Sequence, residues 1–249
     1  MRVRDDALAA ADIASVIWHE LECGSYSEDL ELWRALADRY GDPILDIGAG
    51  TGRVALHLAA AGHRVTALER DRVLAAELER RTHDLPLTAV RADATDFQLE
   101  DRFALCVVAM QTIQVLGGRS SRRAFLDCAR SQLLTGGVLA AAIVENLEPF
   151  VVGDGVPPLP AEVSERQGVL YSSRPTAVLA DHDGFVLERR REIVAGAEHA
   201  VTQDSVRIDR LASEQLESEA VARGFARLGR WSIPASAQHT GSTVVMLVA

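Results

Sequence analysis

Between Pro43 and Glu145 short apolar runs alternate with runs of helical period: PILDI, VALHLAAAG, RVTALE, RVLAAELERR, LTAVRAD, FALCVVAM, SRRAFLDCARSQLL and GVLAAAIVE. Short apolar blocks suit strands covered on both faces, and the longer amphipathic blocks suit helices crossing between them. The alternation therefore predicts a parallel sheet with crossover helices, an α/β architecture. Gly62 is expected to close the first of these helices and Gly136-Gly137 the third. Upstream, residues 12–40 read as two helical pieces parted by Cys23-Gly24-Ser25, with Leu30, Trp33, Leu36 and Ala37 forming one apolar stripe. After Glu145 the pattern changes: VGDGVPPLP at 152–160 continues neither element and reads as a loop. Segments 168–180, 185–195 and 199–211 then alternate as an antiparallel meander, with turns at His182-Asp183-Gly184 and Gly196-Ala197. A helix from Ser213 to Arg223 and two strands, FARLGRWSI and STVVMLVA, end the chain.

The chain of 249 residues, 48% hydrophobic, has enough apolar material for a large α/β domain. No apolar run reaches membrane-spanning length, and Asp5, Asp6 and Asp12 interrupt the start where a signal peptide is apolar. A cytoplasmic protein with no membrane partner is expected. Cys23, Cys106 and Cys128 form no CxxC pair, and no His, Asp or Glu spacing resembles a metal site, so no metal is expected. A net charge of -10 argues against a nucleic-acid partner, and Arg122-Arg123 and Arg189-Arg190-Arg191 read as solvated faces. All 26 basic residues are arginine, which excludes Schiff-base chemistry, pyridoxal phosphate attachment and a P-loop lysine.

The stretch ILDIGAGTGRVALHLA, 44–59, sets a glycine-rich turn between an apolar strand and a helix. Such a turn places backbone N–H groups and a helix N-terminus at the carboxyl edge of the sheet, where ligands bind. The order Gly48-Ala49-Gly50-Thr51-Gly52 puts Arg53 where the dinucleotide fingerprint has its third glycine. Asp46, two residues earlier, would repel a pyrophosphate and attract an ammonium group. Glu69 ends the second strand, followed by Arg70, and its carboxylate can accept from two ribose hydroxyls. Asp93 and the small Ala94 end the third, suited to an adenine amine and its ring. An amine, a ribose and an adenine together describe S-adenosylmethionine, with S-adenosylhomocysteine as its product.

On these residues the chain resembles the class I S-adenosylmethionine-dependent methyltransferases: ILDIGAGTG is similar to their first motif, Glu69 to their ribose acid and Asp93 to their adenine-side acid. The resemblance implies a doubly wound, mostly parallel seven-stranded sheet in the order 3-2-1-4-5-7-6 with the last strand antiparallel. It also implies that a segment before the first motif folds over the donor, where Tyr26 resembles a tyrosine often found there. The expected organisation is a helical segment at 1–42 over the donor site, a Rossmann-like core at 43–150, an antiparallel β cap at 151–211, and a helix with the last two strands at 212–249. No Asp/Asn-Pro-Pro-Tyr/Phe tetrapeptide follows the fourth strand, which lowers the case for base methylation.

Methyl transfer from a sulfonium is an in-line displacement that relies on alignment rather than a fixed triad. Met110, Gln111, Thr112 and Gln114 follow the fourth strand beside the expected crevice, with Gln111 the first candidate for the chemistry and Met110 for the donor contact. His239 in QHTGS precedes the last strand on the ligand edge and is the candidate general base. Glu145 and Asn146, ending the fifth strand, are expected to face the acceptor. The meander either shapes the acceptor pocket or offers a surface for a homodimer. The reading is methyl transfer to N or O of a small-molecule acceptor; a non-catalytic donor-binding protein and a nicotinamide-dependent oxidoreductase are the rivals.

Overall fold

The computed structural model describes residues 2–153, 155–236 and 239–249, with side chains from Ala11 onward. Asp154 of the expected loop, and Ala237 and Gln238 of the connection before His239, lie outside the described residues. In chain order the elements are α1 (Arg2–His19), a π-helical turn (Glu20–Gly24), α2 (Leu30–Tyr40), β1 (Ile44–Ile47), α3 (Arg53–Ala60), β2 (Val65–Glu69), α4 (Arg72–Arg81), β3 (Leu87–Arg91), β4 (Phe103–Val108), a 3-10 turn (Thr112–Gln114), α5 (Arg119–Gln132) and β5 (Leu133–Ile143). There follow β6 (Phe150–Val151), β7 (Glu162–Arg166), β8 (Val169–Ala180), β9 (Gly184–Ala195), β10 (Glu198–Asp209), α6 (Ser213–Val221), β11 (Ala226–Ile233) and β12 (Ser242–Val248). The chain divides into two compact units, residues 27–146 with 209–249, and residues 1–26 with 147–208. Among the described residues no helix is long and apolar enough to cross a membrane.

The first unit is built on a seven-stranded sheet in the order β11-β12-β5-β4-β1-β2-β3. Strands β1 to β5 are parallel, while β12 runs antiparallel to both β5 and β11. This is the order and polarity that the resemblance implies. Because side chains alternate along a strand, the sheet buries two separate layers. Ile44, Val65, Leu105 and Val107 pack with Trp33, Leu36, Val54 and Leu58 of α2 and α3. Leu45, Ile47, Cys106 and Val108 pack with Phe125 and Leu126 of α5 and Leu216 and Ala220 of α6. Trp33, Phe103 and Phe125 are fully buried, each contributing about 1.5–3 kcal/mol of hydrophobic stabilisation. The α2 stripe thus faces the sheet as its spacing predicts.

Two sequence expectations change here. Helix α5 ends at Gln132, and Gly136-Gly137 lie inside β5, where the pairing with β4 shifts between Phe103 and Leu105. A Cβ on Gly137 would sit 2.8 Å from the Phe103 carbonyl, so the glycine serves strand packing rather than helix closure. Arg122 is no solvated residue: it is 3% exposed and pairs with Glu219 through Nε and Nη2, both at 3.1 Å, joining α5 to α6.

The second unit carries the meander, ordered β10-β9-β8-β6 with β7 also paired to β8. The turns fall at the predicted glycines, with Gly184 opening β9 and Gly196 preceding β10. Within this unit Arg191 is likewise not simply solvated. It binds Glu22 through Nε and Nη2 at 2.7 and 2.6 Å and lies over the Trp18 ring, 5.5 Å from its centre. Ser173 adds a 2.7 Å bond to Glu22. Burial works to raise the Glu22 pKa, but the Arg191 and Ser173 contacts prevail and hold it below the ordinary value.

Candidate functional site

The turn after β1 is built from its glycines. Gly48 has φ +67°, and a Cβ there would meet Thr112 Cγ2 at 2.5 Å, so both the backbone and the close approach to the loop after β4 demand glycine. Gly52, φ +100°, precedes α3, and a Cβ on it would meet Leu78 Cδ1 of α4 at 2.5 Å. The amides of this turn are committed to β2: Gly48 and Ala49 N–H donate to the Leu68 carbonyl at 2.8 and 3.0 Å, and Gly50 N–H donates to Glu69 Oε2 at 2.9 Å. Donors that a pyrophosphate would need are therefore already occupied.

Glu69, 8% exposed, accepts a second backbone bond at Oε1 from Asp71 N–H, 2.8 Å. A carboxylate offers about four lone-pair positions, so two remain for a diol. At the end of β3, Asp93 Oδ1 accepts from Thr95 N–H and Oγ1 at 2.8 and 2.7 Å. The Thr95 hydrogen bonds, with Arg70 nearby, hold the Asp93 carboxyl below its ordinary pKa. A cavity of about 320 Å3 opens between these strand ends, lined by Gly48, Glu69, Arg70, Asp93 and Ala94 together with Leu68, Ala92, Thr95, Thr112, Val115, Leu116 and Ser121. Five of the residues predicted from sequence for donor binding thus meet in one cavity. The wall formed by Val115, Leu116 and Ser121 carries no signal of its own in the sequence; it is brought there by the adjacency of β4 and β1.

Asp46 is not among the cavity's lining residues. Along β1 it shares the face of Ile44, toward α2 and α3, and is 2% exposed, with Oδ2 lacking a hydrogen-bond partner among the described residues. Burial pushes its pKa up to about 7, against the opposing field of Arg53. Arg53 is itself paired through Nη1 and Nη2 with Asp29, which also accepts from Trp33 Nε1 at 2.7 Å. Met110 has φ +52°, a left-handed turn rare for a side-chain-bearing residue, closed by Thr112 N–H on the Ala109 carbonyl at 3.3 Å. Gln111 caps the following 3-10 turn, its carbonyl accepting from Gln114 N–H at 2.8 Å. Ala49, Gly50, Gly52, Met110 and Gln111 stand at the same sheet edge without lining the cavity.

Among the family models, one described as "Methyltransferase domain" matches residues 44–137. The chain is 44% identical over 64 residues to a ribosomal RNA small subunit methyltransferase A of Anaeromyxobacter dehalogenans (strain 2CP-C), covering 26% of this chain and 22% of that protein. It spans 22–28% of the length of the three ribosomal RNA relatives it matches. An S-adenosylmethionine-dependent methyltransferase from Clostridium acetobutylicum ATCC 824 superposes with a TM-score of 0.69 at 12% identity, over 96% of this chain and 98% of that one. A sugar N-methyltransferase from Streptoalloteichus sp ATCC 53650 gives 0.69 at 17% identity, over 92% and 91%. Residues 44–137 thus match a methyltransferase domain, and the seven-stranded sheet has the fold of these solved structures.

In the sheet unit the loop bearing His239 joins β11 to β12 at the carboxyl edge, since Thr243 of β12 pairs with Ile143 at the end of β5. His239 N–H donates to Ser236 Oγ at 3.1 Å. Strands β5 and β4 lie between β12 and β1, a separation of roughly 14 Å at ordinary strand spacing. Gln114 is fully buried and its side chain bonds backbone only. Glu145 accepts from the Ser213 hydroxyl at the start of α6. Tyr26 is buried at the end of the 1–26 segment, its N–H on the Cys23 carbonyl at 3.4 Å. Among the described residues no group of His, Cys, Asp and Glu is arranged to hold a metal ion.

Proposed function

We propose that the chain transfers a methyl group from S-adenosylmethionine to a small-molecule acceptor, with an amine the favoured acceptor group. The observation that carries the reading is the meeting of Gly48, Glu69, Asp93 and Ala94 around one cavity beside amides already bonded to β2. The donor supplies a methyl carbon activated by a positive sulfur, so the acceptor's lone pair can displace the thioether in line and the product is S-adenosylhomocysteine. Glu69 holds the ribose diol, with its own orientation fixed by the Gly50 and Asp71 amides. Asp93 receives the adenine amine, and Ala94, Val115 and Leu116 supply an apolar wall for the ring. Behind the glycine turn, Asp46 is buried and, with its pKa raised to about 7, adds negative potential toward the amino-acid end of the donor only as the pH passes that value.

At the acceptor side Gln111 is assigned a positioning hydrogen bond and His239 the removal of a proton where the acceptor needs it. An amine that arrives neutral needs no base before attack, so alignment carries most of the rate. Support for an amine comes from relatives: one neighbour is described as a sugar N-methyltransferase and one partial relative as a cypemycin N-terminal methyltransferase. The net charge of -10 favours a small acceptor over a ribosomal RNA. The cytoplasm is the proposed location. Incubation with methyl-labelled donor and a panel of amino sugars, amino-terminal peptides, phenols and RNA tests the reading. Label in an amine product supports it, and label only in RNA overturns the small-molecule assignment.

A further inference from the structure

The cavity wall at residues 112–121 is held from behind by the side chains of Gln114 and Asp209. Gln114 is fully buried; its Oε1 accepts from Val144 N–H at 2.8 Å, and its Nε2 donates to the carbonyls of Val144 and Asp209, both at 2.9 Å. Val144 lies two residues before the chain leaves the sheet unit after Asn146, and Asp209 is the residue by which it returns. The same return point is gripped twice more, by Gly118 N–H and Arg122 Nη1 on Asp209 Oδ2 at 2.8 and 3.0 Å. Gln114, Gly118 and Arg122 are interleaved in sequence with the cavity-lining Thr112, Val115, Leu116 and Ser121. The wall and the two chain crossings are therefore one hydrogen-bonded body. A side-chain amide with both ends on buried backbone acts as an added rung of the sheet, and losing it leaves buried N–H and C=O groups unsatisfied.

We propose that Gln114 is a positioning residue that couples occupancy of the donor cavity to the two points at which the chain leaves and re-enters the sheet unit. The inference rests on the donor-site reading of the cavity. A nucleoside against Thr112, Val115 and Leu116 orders the wall, and Gln114 passes that order to Val144 and Asp209. A brace with no such coupling would slow local opening by the same factor with the cavity empty or filled.

Backbone hydrogen exchange of the full chain, with and without S-adenosylhomocysteine, separates these cases while calorimetry records binding independently. In the unaltered chain the nucleoside is expected to slow exchange at 144–146 and 209–211 by about tenfold, within the usual range of coupling between sites. In Gln114→Met, which keeps the volume and removes all three bonds, the nucleoside still binds but the slowing falls below about twofold. Equal slowing in both proteins overturns the inference. Should the variant fail to fold, the unaltered chain decides: bound nucleoside with no slowing at Val144 and Asp209 also overturns it. No binding by the unaltered chain removes the donor reading, and the inference with it.

Discussion

The Gly50 amide donates to Glu69 Oε2 at 2.9 Å, tying the turn after β1 to the end of β2. The acid proposed to hold the ribose is thus aimed by the same turn that forms the cavity's edge. Glu69→Ala is expected to weaken S-adenosylhomocysteine binding by about 1–3 kcal/mol, the scale of hydrogen bonds to a charged partner. Titration calorimetry reads this directly, and unchanged affinity would remove Glu69 from the donor site.

Gly48 and Thr112 constrain one another across two loops. Gly48→Ala places a methyl 2.5 Å from Thr112 Cγ2 on a backbone at φ +67° and is expected to lower stability by about 1–3 kcal/mol. Adding Thr112→Ser removes the clashing methyl, so the double variant should regain part of the loss. Chemical denaturation of the three proteins measures the coupling, and strictly additive effects would contradict the contact.

Asp46 gives stability a pH dependence opposite to that of a salt-bridged carboxylate. Its folded pKa of about 7 exceeds the ordinary 3.8, so between these values the folded state binds more protons than the unfolded one. Stability from this group therefore falls as pH rises from about 4 to 7 and levels above, a change on the order of 4 kcal/mol. Asp46→Asn should flatten that slope. Denaturation curves at several pH values compare the two, and parallel profiles would exclude Asp46 as the source.

Arg122 and Glu219 join α5 to α6 at 3% and 4% exposure. Burial works to raise the Glu219 pKa, yet the Arg122 contacts keep it lowered. This contribution is present above the ordinary carboxylate pKa and is lost as pH falls through the lowered one. Arg122→Ala is expected to cost about 3–5 kcal/mol by leaving a buried carboxylate without its main partner. A thermal melt at neutral pH checks it; a loss within about 0.5 kcal/mol, as at an ordinary surface site, would contradict the buried pairing.

Much of this arrangement was legible in the chain itself. Alternating apolar blocks marked β1 to β5 and their crossovers, the glycine spacing marked the turn, and Glu69 and Asp93 sat at the strand ends the cavity uses. Local pattern carries such features because each depends on period or on one backbone conformation. What escaped it depends on distant partners. Arg122 looks solvated until α6 supplies Glu219, and Gln114 looks like a crevice residue until Val144 and Asp209 claim both ends of its amide. Val115 and Leu116 are indistinguishable in sequence from core, and Asp46 gave no sign that its side chain would turn toward α2 and α3.

The donor assignment is tested most directly by calorimetric titration of the chain with S-adenosylhomocysteine and, separately, with a nicotinamide dinucleotide. The expected result is one nucleoside site per chain, weakened about tenfold or more in Glu69→Ala, and no heat from the dinucleotide. Dinucleotide binding, or no binding of the adenosyl compound to the unaltered chain, would contradict it.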